Sequence, residues 1–485
     1  MGSLLPLMPI MGVIVGIFAF TMLVPLAFAW TGMDGARHAF DTSIAITAAC
    51  GLVLWWSTRR FKRELQPRDG FLLVTLVWTV LPGFAMLPML LQMPHLSFTD
   101  AYFEAMSGLT ATGATVLFDL DALPLSINVW RCFLQLIGGL GVIVLAVAIL
   151  PLLGVGGSQL YKAETPGPLK DAKLTPRIAE TARGLWIVYF GLALACMLSY
   201  RSAGMTWSDA FMHMCSTVGL GGFSSHDASF GFWNSPQIEA VAIVFMLLSG
   251  INFARYFVVW RTRTLAPLLT CVETRAYLTV IAAAIALITG YLIFHHTYPS
   301  ALTALRQTAF HVVSLATTAG YSSTNYDKWP LFAPLLMILL GCFVGCAGST
   351  SGGIKMVRML LLVKQAHHEL VRIVHPRAIN PVRLGVQSVP PAVISTVIAF
   401  MLVYGATMTG LTLMMLFAGL DVVTAFTAVI ASVNNIGPGL GDVGPTVNFR
   451  RLSDVQTWIC TVGMLLGRLE LLSVLVLFTP QFWRK

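Results

Sequence analysis

Charge is what this chain of 485 residues has least of: only 11% of it is Asp, Glu, Lys or Arg. Soluble globular chains carry about 25%, so the composition excludes an ordinary soluble domain. Cysteine is sparse as well. Cys50, Cys132, Cys196, Cys215, Cys271, Cys342, Cys346 and Cys460 all fall in apolar stretches, and no paired spacing in a loop suggests a disulfide framework. Cys342 and Cys346 are spaced to share a helix face. Two soft ligands without a further pair read as packing, not as a metal site. Walker A and dinucleotide-binding fingerprints are missing, so any nucleotide control must come from a partner. Neither a Ser/His nor a paired-Asp nor a clustered-ligand arrangement points to an enzyme. No basic residue precedes Arg37. The charged start of a cleaved signal peptide is therefore lacking, and 9–30 reads as a retained span.

What the chain has is apolar length. It is 56% hydrophobic, with a mean hydropathy of +0.79. Runs of about 20 apolar residues mark membrane-spanning helices. Ten such runs are predicted, near 9–30, 37–58, 70–93, 125–150, 184–203, 236–260, 276–296, 331–362 (interrupted), 388–418 and 452–479. Four shorter segments, near 98–110, 206–218, 302–316 and 421–433, read as half-helices that enter and leave on one side.

Each half-helix runs into a glycine loop. The copies are Leu109-Thr-Ala-Thr-Gly113-Ala-Thr, Val218-Gly-Leu-Gly-Gly222-Phe-Ser, Ala316-Thr-Thr-Ala-Gly320-Tyr-Ser and Val433-Asn-Asn-Ile-Gly437-Pro-Gly. The likeness extends upstream. Small residues recur at Ala101, Ala210, Thr308 and Ala425, and aromatics at Tyr102, Phe211 and Phe426. Thr99-Asp100 and Ser208-Asp209 read as helix-start signals. The predicted fold is an all-α polytopic membrane protein. Residues 1–69 form an extra two-span unit. Four span, half-helix, loop and span repeats follow around one pore, at 70–183, 184–274, 275–386 and 387–485.

The formal net charge of +9 is distributed unlike that of a nucleic-acid binder. Segments 58–69, 151–183, 255–275 and 355–383 hold most of the 30 lysines and arginines, and all lie on one side if ten spans alternate. The glycine loops lie on the other, near Asp119, Asp121, Asp227, Asp327 and Asp442. The positive-inside rule then puts both termini in the cytoplasm and the loops outside.

Rings of inward-facing backbone carbonyls replace the water around a bare cation, and glycine tolerates the backbone angles this needs. The layers are expected from Ala111, Thr112 and Gly113, from Leu220, Gly221 and Gly222, from Thr318, Ala319 and Gly320, and from Asn435, Ile436 and Gly437. Thr110 extends the first set. Side chains at these places differ widely, which suits a site made by main chain. The negative ends of the half-helix dipoles favour a cation there.

At this point the sequence resembles a known family, the potassium uptake superfamily of bacterial Trk and Ktr membrane subunits and plant HKT transporters. The matching motifs are Thr110-Ala-Thr-Gly113-Ala-Thr, Gly219-Leu-Gly-Gly222-Phe-Ser-Ser-His-Asp227, Thr317-Thr-Ala-Gly320-Tyr and Asn435-Ile-Gly437-Pro-Gly-Leu-Gly441. The extra N-terminal spans make the chain similar to the longer TrkH type. The resemblance implies one filter glycine per repeat and potassium as bound and transported ion, with no covalent cofactor. It also implies a homodimer with two separate pores in the bacterial inner membrane. A cytosolic ring of nucleotide-binding subunits, TrkA in the Trk case, is its implied regulator. Some HKT relatives carry serine at the first position and favour sodium, and Gly113 argues against that variant.

The segment Gly345-Cys-Ala-Gly348-Ser349-Thr350-Ser351-Gly352-Gly353 breaks one span. The resemblance implies an intramembrane gate loop under the filter. Arg468, deep in the last span, is expensive there unless it finds acceptors. Carbonyls of the loop are candidate acceptors, and Glu470 is the alternative partner. His367, His368 and Glu369 read as a solvated helix face, and His295 and His296 as interfacial. His226 and Asp227 are expected to brace the second loop. A secondary active transporter coupling potassium to protons or sodium would show paired unwound spans in inverted repeats. Here the repeats run parallel and one broken span is predicted. Passive and coupled transport stay open at this point.

Overall fold

A computed structural model describes residues 5–61, 66–144, 178–376, 381–385 and 387–484. These residues are helical apart from loops and one short hairpin, Arg383–Leu384 paired antiparallel with Gln387–Ser388. Most of the segment 151–183, with its lysines, lies outside the described residues.

The distribution of side chains is that of a protein whose solvent is lipid. Phe20, Leu52, Trp56, Phe294, Leu302, Leu402 and Phe417 are exposed. Ser107, Thr112, His213, Thr217, His311, Thr318 and Asn435 are buried. In water such apolar exposure would promote association. In a bilayer the polar groups must find partners inside the protein. Six helices are long and apolar enough to cross a membrane: Met8–Gly32, Arg37–Thr58, Arg68–Gln92, Arg183–Ser202, Val272–Phe294 and Pro391–Phe417. Two bent pairs raise this to eight among the described residues.

The N-terminal unit is held by close backbone approach. Met8–Thr21 lies against Arg37–Thr58 through Gly12, Gly16 and Gly51. A Cβ on Gly12 would sit 2.8 Å from the Gly51 carbonyl oxygen, and one on Gly51 2.7 Å from Gly16 N. Small residues at helical spacing are what let membrane helices pack this tightly.

Four short helices follow: Phe98–Leu109, Trp207–Gly219, Ala301–Ala316 and Val422–Val433. Each packs on the helix that follows its own loop, and that helix packs on the next short helix. Leu125–Val144 thus links the first to the second, Pro236–Ser249 the second to the third, and Phe332–Gly341 the third to the fourth. Asp454–Arg468 returns from the fourth to the first, so the order is a closed circle.

Three segments depart from the straight-span reading. The apolar run 236–260 is two helices, Pro236–Ser249 and Phe253–Thr262, meeting at 88°. The run 452–479 turns by 102° after Arg468, through left-handed Glu470 (φ 54°) and Leu471 (φ 22°). The third break is the expected one, between Phe332–Gly341 and Met356–Val374. One broken span is therefore corrected to three. Two of the breaks, at 249–253 and 341–356, satisfy each other's freed backbone groups. Cys346 N donates to the Gly250 carbonyl at 3.1 Å, and Phe253 N to the Gly348 carbonyl at 3.0 Å. The shared helix face of Cys342 and Cys346 is corrected too, because the helix stops at Gly341.

Candidate functional site

Every short helix starts with an oxygen-bearing cap. Ser97 Oγ accepts from Asp100 N at 3.0 Å, Thr206 Oγ1 from Asp209 N at 3.1 Å, and Ser300 Oγ from Leu302 N at 3.3 Å. Asp421 Oδ2 accepts from Thr424 N at 3.0 Å. Such caps satisfy donors that the first helical turn leaves open. The start signal read at Thr99-Asp100 and Ser208-Asp209 therefore belongs two residues earlier, with each acid bonding back to the cap hydroxyl.

At their other ends the helices run into loops of one backbone pattern. In each, the glycine and the residue two before it are left-handed. The φ values are 50° and 85° for Ala111 and Gly113, 53° and 78° for Leu220 and Gly222, 63° and 79° for Thr318 and Gly320, and 53° and 101° for Asn435 and Gly437. The four loops also close on one another. A Cβ on Gly113 would lie 1.9 Å from the Gly221 carbonyl oxygen, and one on Gly222 2.0 Å from that of Ala319. On Gly320 it would lie 2.1 Å from the Ile436 oxygen, and on Gly437 2.8 Å from the Thr112 oxygen. Each glycine thus abuts the carbonyl before the next loop's glycine, all the way round. The loops frame a cavity of about 90 Å³ lined by Gly113, Gly222, Gly320 and Pro438, with His226 and Asp227 among the other walls.

Behind the loops stand buried polar residues that the sequence reading passed over. Nine positions before the glycine, the first three short helices carry Glu104, His213 and His311. Glu104 accepts from Val116 N at 3.0 Å and Thr115 Oγ1 at 2.9 Å, and is paired with buried Arg131 at 2.7 Å. His213 Nδ1 faces the Asp209 carbonyl, which can only accept, so Nε2 accepts from Ser224 Oγ at 3.0 Å. His311 Nε2 accepts from Ser323 N at 3.2 Å. The fourth helix has Ala428 there, and its neighbour Thr427 accepts from Leu440 N at 3.0 Å. In all four copies a side chain holds the strand just past the glycine. The recoverable signal was a polar residue at one fixed offset inside an apolar half-helix. Gln135, bonded to the second loop, was also missed.

His226 and Asp227 tie the second loop to the first repeat. His226 bonds Asp121 through Nδ1, and its Nε2 lies 3.5 Å from Asp209. Its ring stacks on Phe232 with centroids 3.6 Å apart. Asp227 Oδ2 accepts from Leu120 N at 2.8 Å. Burial alone lowers the His226 pKa, but the Asp209 and Asp121 carboxylates outweigh it and the value is raised.

The 345–353 segment lies against the inner ends of these helices. Thr350 Oγ1 donates to the Val218 carbonyl at 3.0 Å, and Gly352 N to Thr318 Oγ1 at 2.8 Å. A Cβ on Gly352 would lie 2.0 Å from the Asn434 carbonyl oxygen. Ser351 Oγ lies 3.3 Å from Thr318 Oγ1, and Ser349 Oγ donates to the Cys346 carbonyl at 2.6 Å. Gly345 accepts Met356 N at 2.8 Å, and Gly353 is left-handed, with φ 76°. Arg468 reaches in from Asp454–Arg468. Its Nη1 donates to the Thr350 carbonyl at 3.0 Å and its Nη2 to the Gly138 carbonyl at 3.2 Å. Glu470 pairs instead with Arg358, at 2.6 Å. Lys355 was grouped with the cytoplasmic basic residues; it is buried, and its amino group bonds the Ser351 carbonyl.

A ring of short capped helices with glycine loops, set among helices apolar enough to cross a bilayer, defines the class of membrane transport proteins. Residues 36–485 match the TrkH family, described as a cation transport protein, and the chain belongs to that family. It is 46% identical over 477 residues to the Trk system potassium uptake protein TrkH of Salmonella typhimurium, covering 98% of each chain. It is 38% identical over 474 residues to TrkG of Escherichia coli, covering 98% of this chain and 97% of that one. The crystal structure of the potassium transporter TrkH from Vibrio parahaemolyticus superposes with a TM-score of 0.91 at 42% identity. That match covers 100% of this chain and 99% of the other. The relatives are named as transport proteins, not as enzymes.

Proposed function

We propose that this protein takes up potassium across the bacterial cytoplasmic membrane through a filter built by the four glycine loops. The observation that carries the reading is the closed circle of loops, each with the same pair of left-handed residues. Main-chain atoms of Thr110 to Gly113, Leu220 to Gly222, Thr318 to Gly320 and Asn435 to Gly437 hold the ion. Carbonyl oxygens replace its water, and the negative ends of the four short helices add to the attraction. The relatives' printed name, potassium uptake protein, supports the choice of ion.

In this reading the chain makes ten spans with both termini cytoplasmic, and the loops face outside. Residues 1–69 stand apart from four repeats ending near 183, 274, 386 and 485. Gly345, Gly348, Ser349, Thr350, Ser351, Gly352 and Gly353 form a gate held by Arg468, whose carbonyl bonds support that role. The protein works as a homodimer with a cytosolic nucleotide-binding ring. The test is uptake by the purified protein in vesicles. Potassium entry that exceeds sodium entry, with no entry of neutral solutes, is expected. Equal entry of potassium and a neutral solute would refute a carbonyl filter.

A further inference from the structure

At one place the second loop has a glycine where each of the other three has a side chain. The residue before the left-handed glycine is Thr112, Ala319 or Ile436 in three loops, but Gly221 in this one. The cause is a side chain from another segment. Gln135 sits on Leu125–Val144 and is fully buried. Its Nε2 donates to the Gly221 carbonyl oxygen at 2.7 Å, and its Oε1 accepts from Phe223 N at 3.1 Å. One amide therefore bridges Gly222 from both sides. A Cβ on Gly221 would lie 2.4 Å from Gln135 Cδ, so a side chain and this amide exclude each other.

The Gly221 oxygen belongs to the set of four that abut the glycines in turn. Among the described residues, no hydrogen-bond donor meets the matching oxygens of Thr112, Ala319 or Ile436. We propose that Gln135 is a positioning residue for ion selectivity, acting by fixing the Gly221–Gly222 peptide. A carbonyl oxygen has two acceptor lone pairs, and Gln135 occupies one. This layer then offers three carbonyls free of protein donors and one shared with a buried amide. The shared oxygen cannot swing to follow a smaller ion, so the amide sets the spacing of the layer. The inference rests on the reading of the loops as the ion path.

The test uses the full chain in vesicles, at matched protein abundance. Gln135→Met keeps the side-chain volume and removes both hydrogen bonds. Gln135→Glu keeps the acceptor for Phe223 N and removes the donor. Both are expected to retain potassium uptake within about threefold while the potassium-to-sodium ratio falls about tenfold, as befits a disturbed carbonyl layer. Gly221→Ala alone is expected to abolish uptake through the collision. Adding Gln135→Ala relieves it, giving uptake with the lowered ratio. An unchanged ratio in Gln135→Met and Gln135→Glu overturns the positioning role. Gly221→Ala behaving like the parent overturns the packing account. A parent chain that shows no preference for potassium over sodium would instead bring down the reading of the loops, before any variant is compared.

Discussion

Eight left-handed residues, two per loop, are the smallest parts from which the site is made. Four are glycines and pay no Cβ penalty. The others are Ala111, Leu220, Thr318 and Asn435, and each holds a conformation that costs about 1 to 3 kcal/mol for an L-residue with a side chain. Such strain persists only where surroundings over-determine it. Thr318 is pinned by Gly352 N, and Asn435 by Thr112 Oγ1 at 2.9 Å and the Met464 carbonyl at 3.2 Å. A side chain at Gly113 meets both problems at once, a φ of 85° and a carbonyl oxygen 1.9 Å from its Cβ. Gly113→Ser is therefore expected to lower the potassium-to-sodium permeability ratio by about tenfold or more, since in the proposed filter the carbonyl layer at Gly113 must shift. Reversal potentials in mixed gradients measure this. A ratio equal to the parent's would remove Gly113 from the filter.

Among the elements, the short helices and the break at 345–353 were legible in the sequence, and the bends at 236–260 and 452–479 were not. Length and hydropathy marked the segments before Gly113, Gly222, Gly320 and Gly437, because a half-length apolar run has few other readings. The bend at 236–260 was hidden because its two arms together still pass as one apolar run, although Phe253–Thr262 carries Arg255 and Arg261. Its freed groups are met by Cys346 and Gly348, about a hundred residues away in the chain and invisible to local pattern. The burial of Lys355 was hidden for a related reason: a charge next to a basic stretch looks solvated until its acceptor, the Ser351 carbonyl, is known. The contacts of His226 with Asp121 and Asp209 join two elements and carry a pH prediction. The His226 pKa is raised by Asp209 and Asp121, so protonation and folding favour each other. The stabilisation is complete below the unfolded value of about 6.5 and is lost as pH rises through the higher folded value. Asp121 is half exposed, which limits the effect to about 1 kcal/mol. Melting temperature of the detergent-solubilised parent should fall relative to His226→Gln as pH rises through that window. Parallel profiles for the two proteins would exclude His226 as the titrating group.

At the scale of the whole molecule, one side chain ties together three segments far apart in the chain. Arg468, at the end of Asp454–Arg468, meets no acid among the described residues and donates to the Thr350 carbonyl and to the Gly138 carbonyl of Leu125–Val144. In the proposed reading of the loops this guanidinium lies near the ion path, and a cation approaching through low-dielectric surroundings is repelled strongly. In that reading the 345–353 segment is a plug that Arg468 both anchors and guards with its charge. Arg468→Ala removes the barrier and the anchor together, whereas deleting 348–352 removes the plug and leaves the charge. Both variants should carry more potassium than the parent in vesicles lacking any cytosolic subunit, with about tenfold as the scale for losing one close charge. Folding is the confounding variable, because Arg468 also replaces several backbone contacts that water would otherwise make. Abundance and melting temperature of each variant therefore accompany the flux. Arg468→Lys separates the two roles further: the charge stays while the fork that spans Thr350 and Gly138 is lost. Flux raised in Arg468→Lys as much as in Arg468→Ala assigns closure to the anchor, and flux raised only in Arg468→Ala assigns it to the charge. Folded Arg468→Ala and loop-deleted proteins that both conduct no better than the parent would end the gate assignment.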